Sequence, residues 1–234
     1  MTLAVLNEAA KNFGISVADR PFEDYLNCIL TENDAYGLTS LRQPEEVESQ
    51  LLADALAFFS VPDRPAGPVA DLGSGAGIPG IPLALVDPTL EVTLVEARQR
   101  KGQFLARMIE RLRLRHRVRV VAARAEAVGR DSATREHFAI VVAKGLAPLN
   151  VLLELAIPLL QVGGLLVAWK GPGLDEEMTN AKRAFDLLHA HVEATLPYGL
   201  PQDPAQRRLV LIRKDQATPE TYPRRSGMPK KSPL

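Results

Sequence analysis

Residues 71–80 read DLGSGAGIPG. The four glycines follow a short apolar run, PVADL at 68–72, and lead into an apolar helical pattern that starts at 80, so the stretch is a strand-to-helix turn. In an open α/β sheet a ligand sits at the carboxyl ends of the strands, and glycines there let the backbone approach it. Two patterns overlap in the turn. Gly75, Gly77 and Gly80 have the GxGxxG spacing of a nicotinamide-binding turn, whereas Asp71, Gly73, Gly75 and Gly77 have the spacing DxGxGxG. A nicotinamide cofactor brings a doubly negative pyrophosphate to this turn, where the Asp71 carboxylate would be unfavourable. S-adenosylmethionine carries a sulfonium and an α-ammonium, and a carboxylate ending the first strand favours both, directly or through water.

The periodicity on either side fits that choice of fold. Short apolar runs predict strands near 68–72, 91–96, 117–122, 138–143, 163–170, 190–197 and 207–213, alternating with helices near 80–86, 98–113, 148–160 and 174–188. Such alternation means a parallel, doubly wound α/β sheet of Rossmann-like, class I methyltransferase type, and the last two, more closely spaced strands read as an antiparallel edge hairpin. Residues 1–64 form a small helical region closed by the Pro-rich linker VPDRPAGP at 61–68; 65–214 form the methyltransferase domain; 215–234, with four prolines and four basic residues, read as an extended basic arm.

Two further acids stand in register after successive strands. Glu96 ends EVTLVE, about twenty residues past the glycine turn, where a carboxylate can take both hydroxyls of a ribose in either cofactor class. In ARAEAV, 123–128, Ala125 and Glu126 follow the third strand and face the place of an adenine ring.

Composition bounds the rest. Of 234 residues, 46 % are hydrophobic and 24 % charged, and no apolar run approaches a membrane span. The N-terminus lacks the basic and apolar regions of a signal peptide, which together with a single cysteine, Cys28 in the apolar YLNCIL, leads us to expect a cytoplasmic protein without disulfide or CxxC metal knuckle. The formal net charge of zero alone argues against nucleic acid, but the charge is segregated. Residues 96–130 hold eleven basic against three acidic side chains and 207–234 hold eight against two, while 1–64 hold four against eleven. Two basic blocks are the footprint of a polyanion partner.

DLGSGAGIPGIPLAL, LVEARQRKGQFL, ARAEAV, VVAKGLAPL, VAWKGP, RRLVLI and the closing YPRRSGMPKKSPL resemble, in that order, the bacterial 16S rRNA guanine-N7 methyltransferase G family. NDAYGLTS at 33–40 resembles that family's N-x-x-x-N-L-T stretch. The resemblance implies S-adenosylmethionine as donor and N7 of guanine 527 in 16S rRNA as acceptor, on free rRNA or a 30S precursor, with no membrane and no obligatory protein partner. Carried onto matching positions, it places Gly73, Ile78, Ala125 and Glu126 along the cofactor and Glu96, Ala97 and Arg98 at ribose and adenine. Lys144 stands where the family has an arginine after the fourth strand, Lys170 is its KGP lysine, and Arg207 its arginine before the last strand. Gly37 replaces the family's second asparagine, and Gln50 and Leu51 replace an Arg-His pair.

N7 of guanine has an in-plane lone pair and no proton to lose, so methyl transfer to it needs positioning rather than a general base. Accordingly, His116, His137, His189 and His191 read as surface or core residues. Lys144, Lys170 and Arg207 are the candidates to orient the base through O6, a phosphate or the methionine carboxylate, with Arg207, Arg224, Arg225, Lys230 and Lys231 on the RNA. Other readings are a methyltransferase of the same fold on another RNA base or small molecule, a nicotinamide oxidoreductase, and a non-catalytic RNA-binding descendant.

Overall fold

In a computed structural model of the chain, which describes residues 3–201 and 203–234, seven strands make one sheet in the order β3-β2-β1-β4-β5-β7-β6. The strands are β1 (Val69–Leu72), β2 (Val92–Val95), β3 (Val118–Val121), β4 (Phe138–Lys144), β5 (Leu160–Lys170), β6 (Ala190–Leu200) and β7 (Asp203–Lys214). The first five are parallel and β7 runs antiparallel between β5 and β6. The direction of winding reverses between β1 and β4, which puts a crevice beyond their carboxyl ends.

Sequence dictates this layering through period-2 alternation in strands apolar on both sides. In β4, Ile140 and Val142 enter one apolar core while Val141 and Ala143 enter the other. The first core holds the N-terminal helices α1 (Ala4–Asn12) and α2 (Asp19–Tyr36), followed by α3 (Pro44–Val47), whose helical continuation passes through Glu48–Ala53 to Leu56–Ser60. It also holds α4 (Gly80–Val86) and α5 (Gln99–Arg111). Helix α5 buries Phe104, Leu105, Met108 and Ile109 at i, i+1, i+4 and i+5, each contributing about 1.5–3 kcal/mol on removal from water. The second core lies under the one-turn α6 (Ala125–Val128), α7 (Leu149–Ala156), α8 (Leu174–Asn180) and α9 (Lys182–Leu188).

The structure departs from the sequence reading in several places, of which three are the largest. The helix expected over 174–188 bends at the buried Ala181, which presents Leu174 and Leu188 to the same core. Strand β5 begins earlier than expected, because Leu160 pairs with Phe138 before an irregularity and Leu165 pairs with Ile140 after it. The C-terminal segment, expected as an extended arm, is laid against α6 and α7 and contains a helical turn, α10 (Met228–Lys231), with Pro223 and Pro229 buried.

Candidate functional site

The glycine turn is built from within. Gly73, Gly75 and Gly77 all have positive φ, +75°, +59° and +99°, a region costly for residues with a Cβ. The Gly77 amide donates to the Ser74 carbonyl at 2.7 Å, and Ser74 Oγ donates to the Asp71 carbonyl at 2.9 Å. Helix α2 braces the turn from below: the fully buried Tyr25 donates its hydroxyl to the Ala76 carbonyl at 2.6 Å. Gly80 lets α4 come down onto β1, since a Cβ there would overlap Leu94 and the Asp71 carboxylate.

Asp71 is fully buried beneath this turn, with Oδ2 accepting the Gly80 amide at 2.9 Å. It does not line the cavity described below, so the expected contact with a cofactor cation is revised: the carboxylate ties β1 to the start of α4. Among the described residues its other oxygen has no hydrogen-bond partner. Burial, aided by the Glu96 charge and opposed by the Gly80 amide, pushes its pKa up to about 7. Because the folded pKa lies above the unfolded one, near 4, the folded state holds the proton more tightly. The associated stability is present below about pH 4 and is lost as pH rises through about 7. Relative to wild type, Asp71→Asn should therefore gain stability on going from pH 5 to pH 8.5, by on the order of 3 kcal/mol. Urea denaturation at both pH values tests this, and parallel stability profiles would contradict it.

Above the turn, at the carboxyl ends of β1–β4, lies a cavity of about 780 Å³ walled by the glycine turn, the loops after β2, β3 and β4, and the C-terminal segment. Gly73 and Gly75 line it, as do Glu96, Ala97, Arg98, Ala125 and Glu126, so most of the residues expected at a cofactor meet here. Glu96, 7 % exposed, is held at two points: Oε2 accepts the Gly75 amide at 2.9 Å and Oε1 accepts the Arg98 amide at 2.7 Å. Each oxygen keeps a lone pair for a ribose hydroxyl, as the chemistry of an adenosyl group requires. Lys101 lines the same wall and donates to the Leu38 carbonyl at 3.2 Å, linking the NDAYGLTS loop to the cavity. Burial lowers its pKa, against the pull of Glu96. Gly77 and Ile78 do not reach the cavity; Ile78 is buried in the first core beside a cis peptide to Pro79. Gly37, where the family has asparagine, closes α2 at φ +60°, the left-handed cap that glycine and asparagine both tolerate.

A second cavity of about 250 Å³ adjoins at Gly145, which lines both. Its polar centre is Asp54, 1 % exposed. The Asp54 carboxylate accepts the Tyr198 hydroxyl at 2.6 Å, pairs with Lys144 Nζ at 3.0 Å, and has Arg207 Nη1 at 3.8 Å, while Trp169 Nε1 donates to the Asp54 carbonyl at 3.0 Å. Lys144 also donates to the Gln50 carbonyl at 2.9 Å, so it faces this cavity and not the larger one. Lys170 also lines the smaller cavity, but its Nζ is bound to Glu177 at 2.5 Å and to the Ala147 carbonyl at 2.9 Å, and Glu177 in turn accepts the Leu149 amide. That assigns Lys170 to bracing the loop after β4 and revises its place among base-orienting groups. Asp54, which sequence reasoning missed, left one signal: a carboxylate inside the apolar run LLADALAFF.

Of the basic residues expected on RNA, Arg207 borders the second cavity, Lys230 and Lys231 line the rim of the first, and Arg225 is exposed. Arg224 is corrected: its Nε and Nη2 bind the fully buried Glu154 at 2.8 and 2.5 Å, a structural ion pair. The histidines stand apart from both cavities. His116 and His137 line a small cavity among Arg115, Arg117 and Arg119, His189 ends α9, and His191 pairs with Asp215 at 2.8 Å.

This sheet, with a glycine turn after β1 and an adenosyl-fitting carboxylate after β2, defines a class I S-adenosylmethionine-dependent methyltransferase. The fold is shared with a transferase from Pyrococcus horikoshii (16 % identity, TM-score 0.51, covering 65 % of this chain and 59 % of that one). It is shared too with a predicted O-methyltransferase of Agrobacterium tumefaciens (26 %, TM-score 0.51, 68 % and 78 %). The family described as rRNA small subunit methyltransferase G matches residues 19–204, and the chain belongs to it. Proteins named ribosomal RNA small subunit methyltransferase G are 40 % identical in Pelotomaculum thermopropionicum, over 98 % of this chain and 97 % of that one, and 39 % identical in Chloroflexus aggregans, over 100 % and 98 %.

Proposed function

We propose that the protein transfers the methyl group of S-adenosylmethionine to N7 of a guanine in 16S rRNA, guanine 527 by its family, acting in the cytoplasm on free rRNA or a 30S precursor. The observation that carries this reading is the meeting of the two cavities at Gly145: one fits an adenosyl group, the other is lined by Trp169, Tyr198, Lys144 and Arg207. Aromatic faces and cations are what receive an unstacked RNA base and its phosphates. S-adenosylmethionine supplies an electrophilic methyl on a sulfonium. The chain supplies position: Glu96 fixes the ribose, the loop after β4 carries the boundary between donor and acceptor, and Lys144 and Arg207 meet guanine O6 or a phosphate. No histidine lines either cavity among the described residues. No helix among the described residues is long and apolar enough to cross a membrane.

Labelled methyl transfer to small-subunit RNA, followed by mass mapping, tests the reading. One methyl on a decoding-region guanine N7 is expected; a methyl on another base, or none, would overturn it. A companion result concerns the rim. The double variant Lys230→Ala, Lys231→Ala should weaken RNA binding and lower the slope of log affinity against log salt by about 1–2. An unchanged slope would take both lysines off the RNA.

A further inference from the structure

We infer that the C-terminal turn Gly227–Lys231 is a working wall of the cofactor site, and that Glu126 acts on the cofactor by holding this turn. The inference rests on the reading of the larger cavity as the S-adenosylmethionine site.

Four anchors fix the segment to the rest of the chain, from the segment that enters β4 at its amino end to the cavity wall. At its start the Thr218 amide donates to Glu136 Oε1 at 2.7 Å, and the same oxygen takes Lys214 Nζ at 2.6 Å. Next, Arg135 donates to the Thr218 and Tyr222 carbonyls at 2.8 and 2.7 Å, and Arg130 Nε to the Pro223 carbonyl at 2.7 Å. The third anchor is Arg224 on Glu154, where the Arg224 amide adds a further bond to Oε1 at 2.8 Å. The last is at the cavity itself: the Gly227 amide donates to Glu126 Oε1 at 2.7 Å. Beyond it, Gly227, Lys230 and Lys231 line the cavity together with Ala125 and Glu126.

Three of these anchors use carboxylates from the chain's main body to hold backbone amides of the tail. A basic arm meant only to trail onto RNA has no use for such fixed amides. Glu154, completely buried in α7, would be an uncompensated charge without Arg224. The Glu126 side chain is 7 % exposed and engaged with the tail, so what it offers an adenosine is the position of α6 and of the turn bound to it. Glu126 is thus a positioning residue. Cofactor affinity and the order of the tail should then be linked, each favouring the other.

The test uses the full chain with S-adenosylhomocysteine as probe. By hydrogen exchange, amides of residues 224–231 should slow at least about tenfold when the probe saturates the protein, alongside those of the glycine turn. By calorimetry, Glu126→Gln, which keeps shape and weakens the bond to Gly227, should bind the probe about fivefold to tenfold more weakly and lose most of that protection. Unchanged tail exchange, with the glycine turn protected, would overturn the inference and leave the cofactor site standing, and so would wild-type affinity in Glu126→Gln. A probe that fails to bind the wild type would overturn the cofactor reading, and the inference with it.

Discussion

Replacing Glu96 by alanine should reduce S-adenosylmethionine affinity by about 100-fold in calorimetry, with a smaller loss in Glu96→Gln. The carboxylate is oriented by the amides of Gly75 and Arg98, one from the glycine turn and one from the loop after β2. A ribose bound there would meet a carboxylate already positioned, with little ordering left to do on binding. Hydrogen bonds from two hydroxyls to an ionised group are worth about 1.5–3 kcal/mol each; a net loss near 3 kcal/mol corresponds to a factor of about 150. Alanine also leaves the Gly75 amide without its acceptor, which loosens a turn whose glycine has φ +59°. Glutamine keeps one acceptor oxygen and so holds only one of the two amides. Affinity within threefold of wild type in the alanine variant would mean that no ribose sits at Glu96.

Much of this architecture is legible in the sequence because it is local. Strands β1, β2 and β4 are short apolar runs, and the glycine turn and Glu96 follow β1 and β2 directly, so chain order alone places them at the carboxyl ends of a parallel sheet. What was hidden depends on distant pairing. The break at Ala181 carries no glycine or proline to announce it. The turn at Met228–Lys231 is a single helical turn that only its anchors stabilise, and Arg224 reads as one more cation in a basic tail until Glu154 is seen beneath it. Asp71 was given to the cofactor on charge alone, whereas Gly80, nine residues on, takes its oxygen. The sequence did carry one unused signal: Asp54 and Glu154 are lone acids inside apolar runs, LLADALAFF and NVLLELAIPLL, and both are buried and paired with a cation from elsewhere in the chain. Burying a carboxylate without such a partner is costly enough that the acid itself announces one.

For that reason Asp54→Ala should be the most disruptive single change at the acceptor side, abolishing measurable methyl transfer and lowering stability by about 2–4 kcal/mol. Breaking a buried ion pair costs about 3–5 kcal/mol because the surviving charge is left uncompensated; Lys144 and Arg207 are each 19 % exposed in their side chains, and water reaching them reduces that figure. The Tyr198 hydroxyl loses its acceptor as well. Because Asp54 does not line the larger cavity, affinity for S-adenosylmethionine should stay within about threefold of wild type while the single-turnover rate at saturating cofactor collapses. Stability and activity can then be separated. The double variant Asp54→Leu, Lys144→Met removes both charges together and should recover most of the lost stability in urea denaturation, since apolar replacement of a whole buried pair is often neutral. It should recover no methyl transfer if Lys144 is the cation that meets the base or its phosphate, as proposed. Transfer at the wild-type rate in either variant would show that the Asp54–Lys144 pair serves the fold alone and that the acceptor base is held elsewhere.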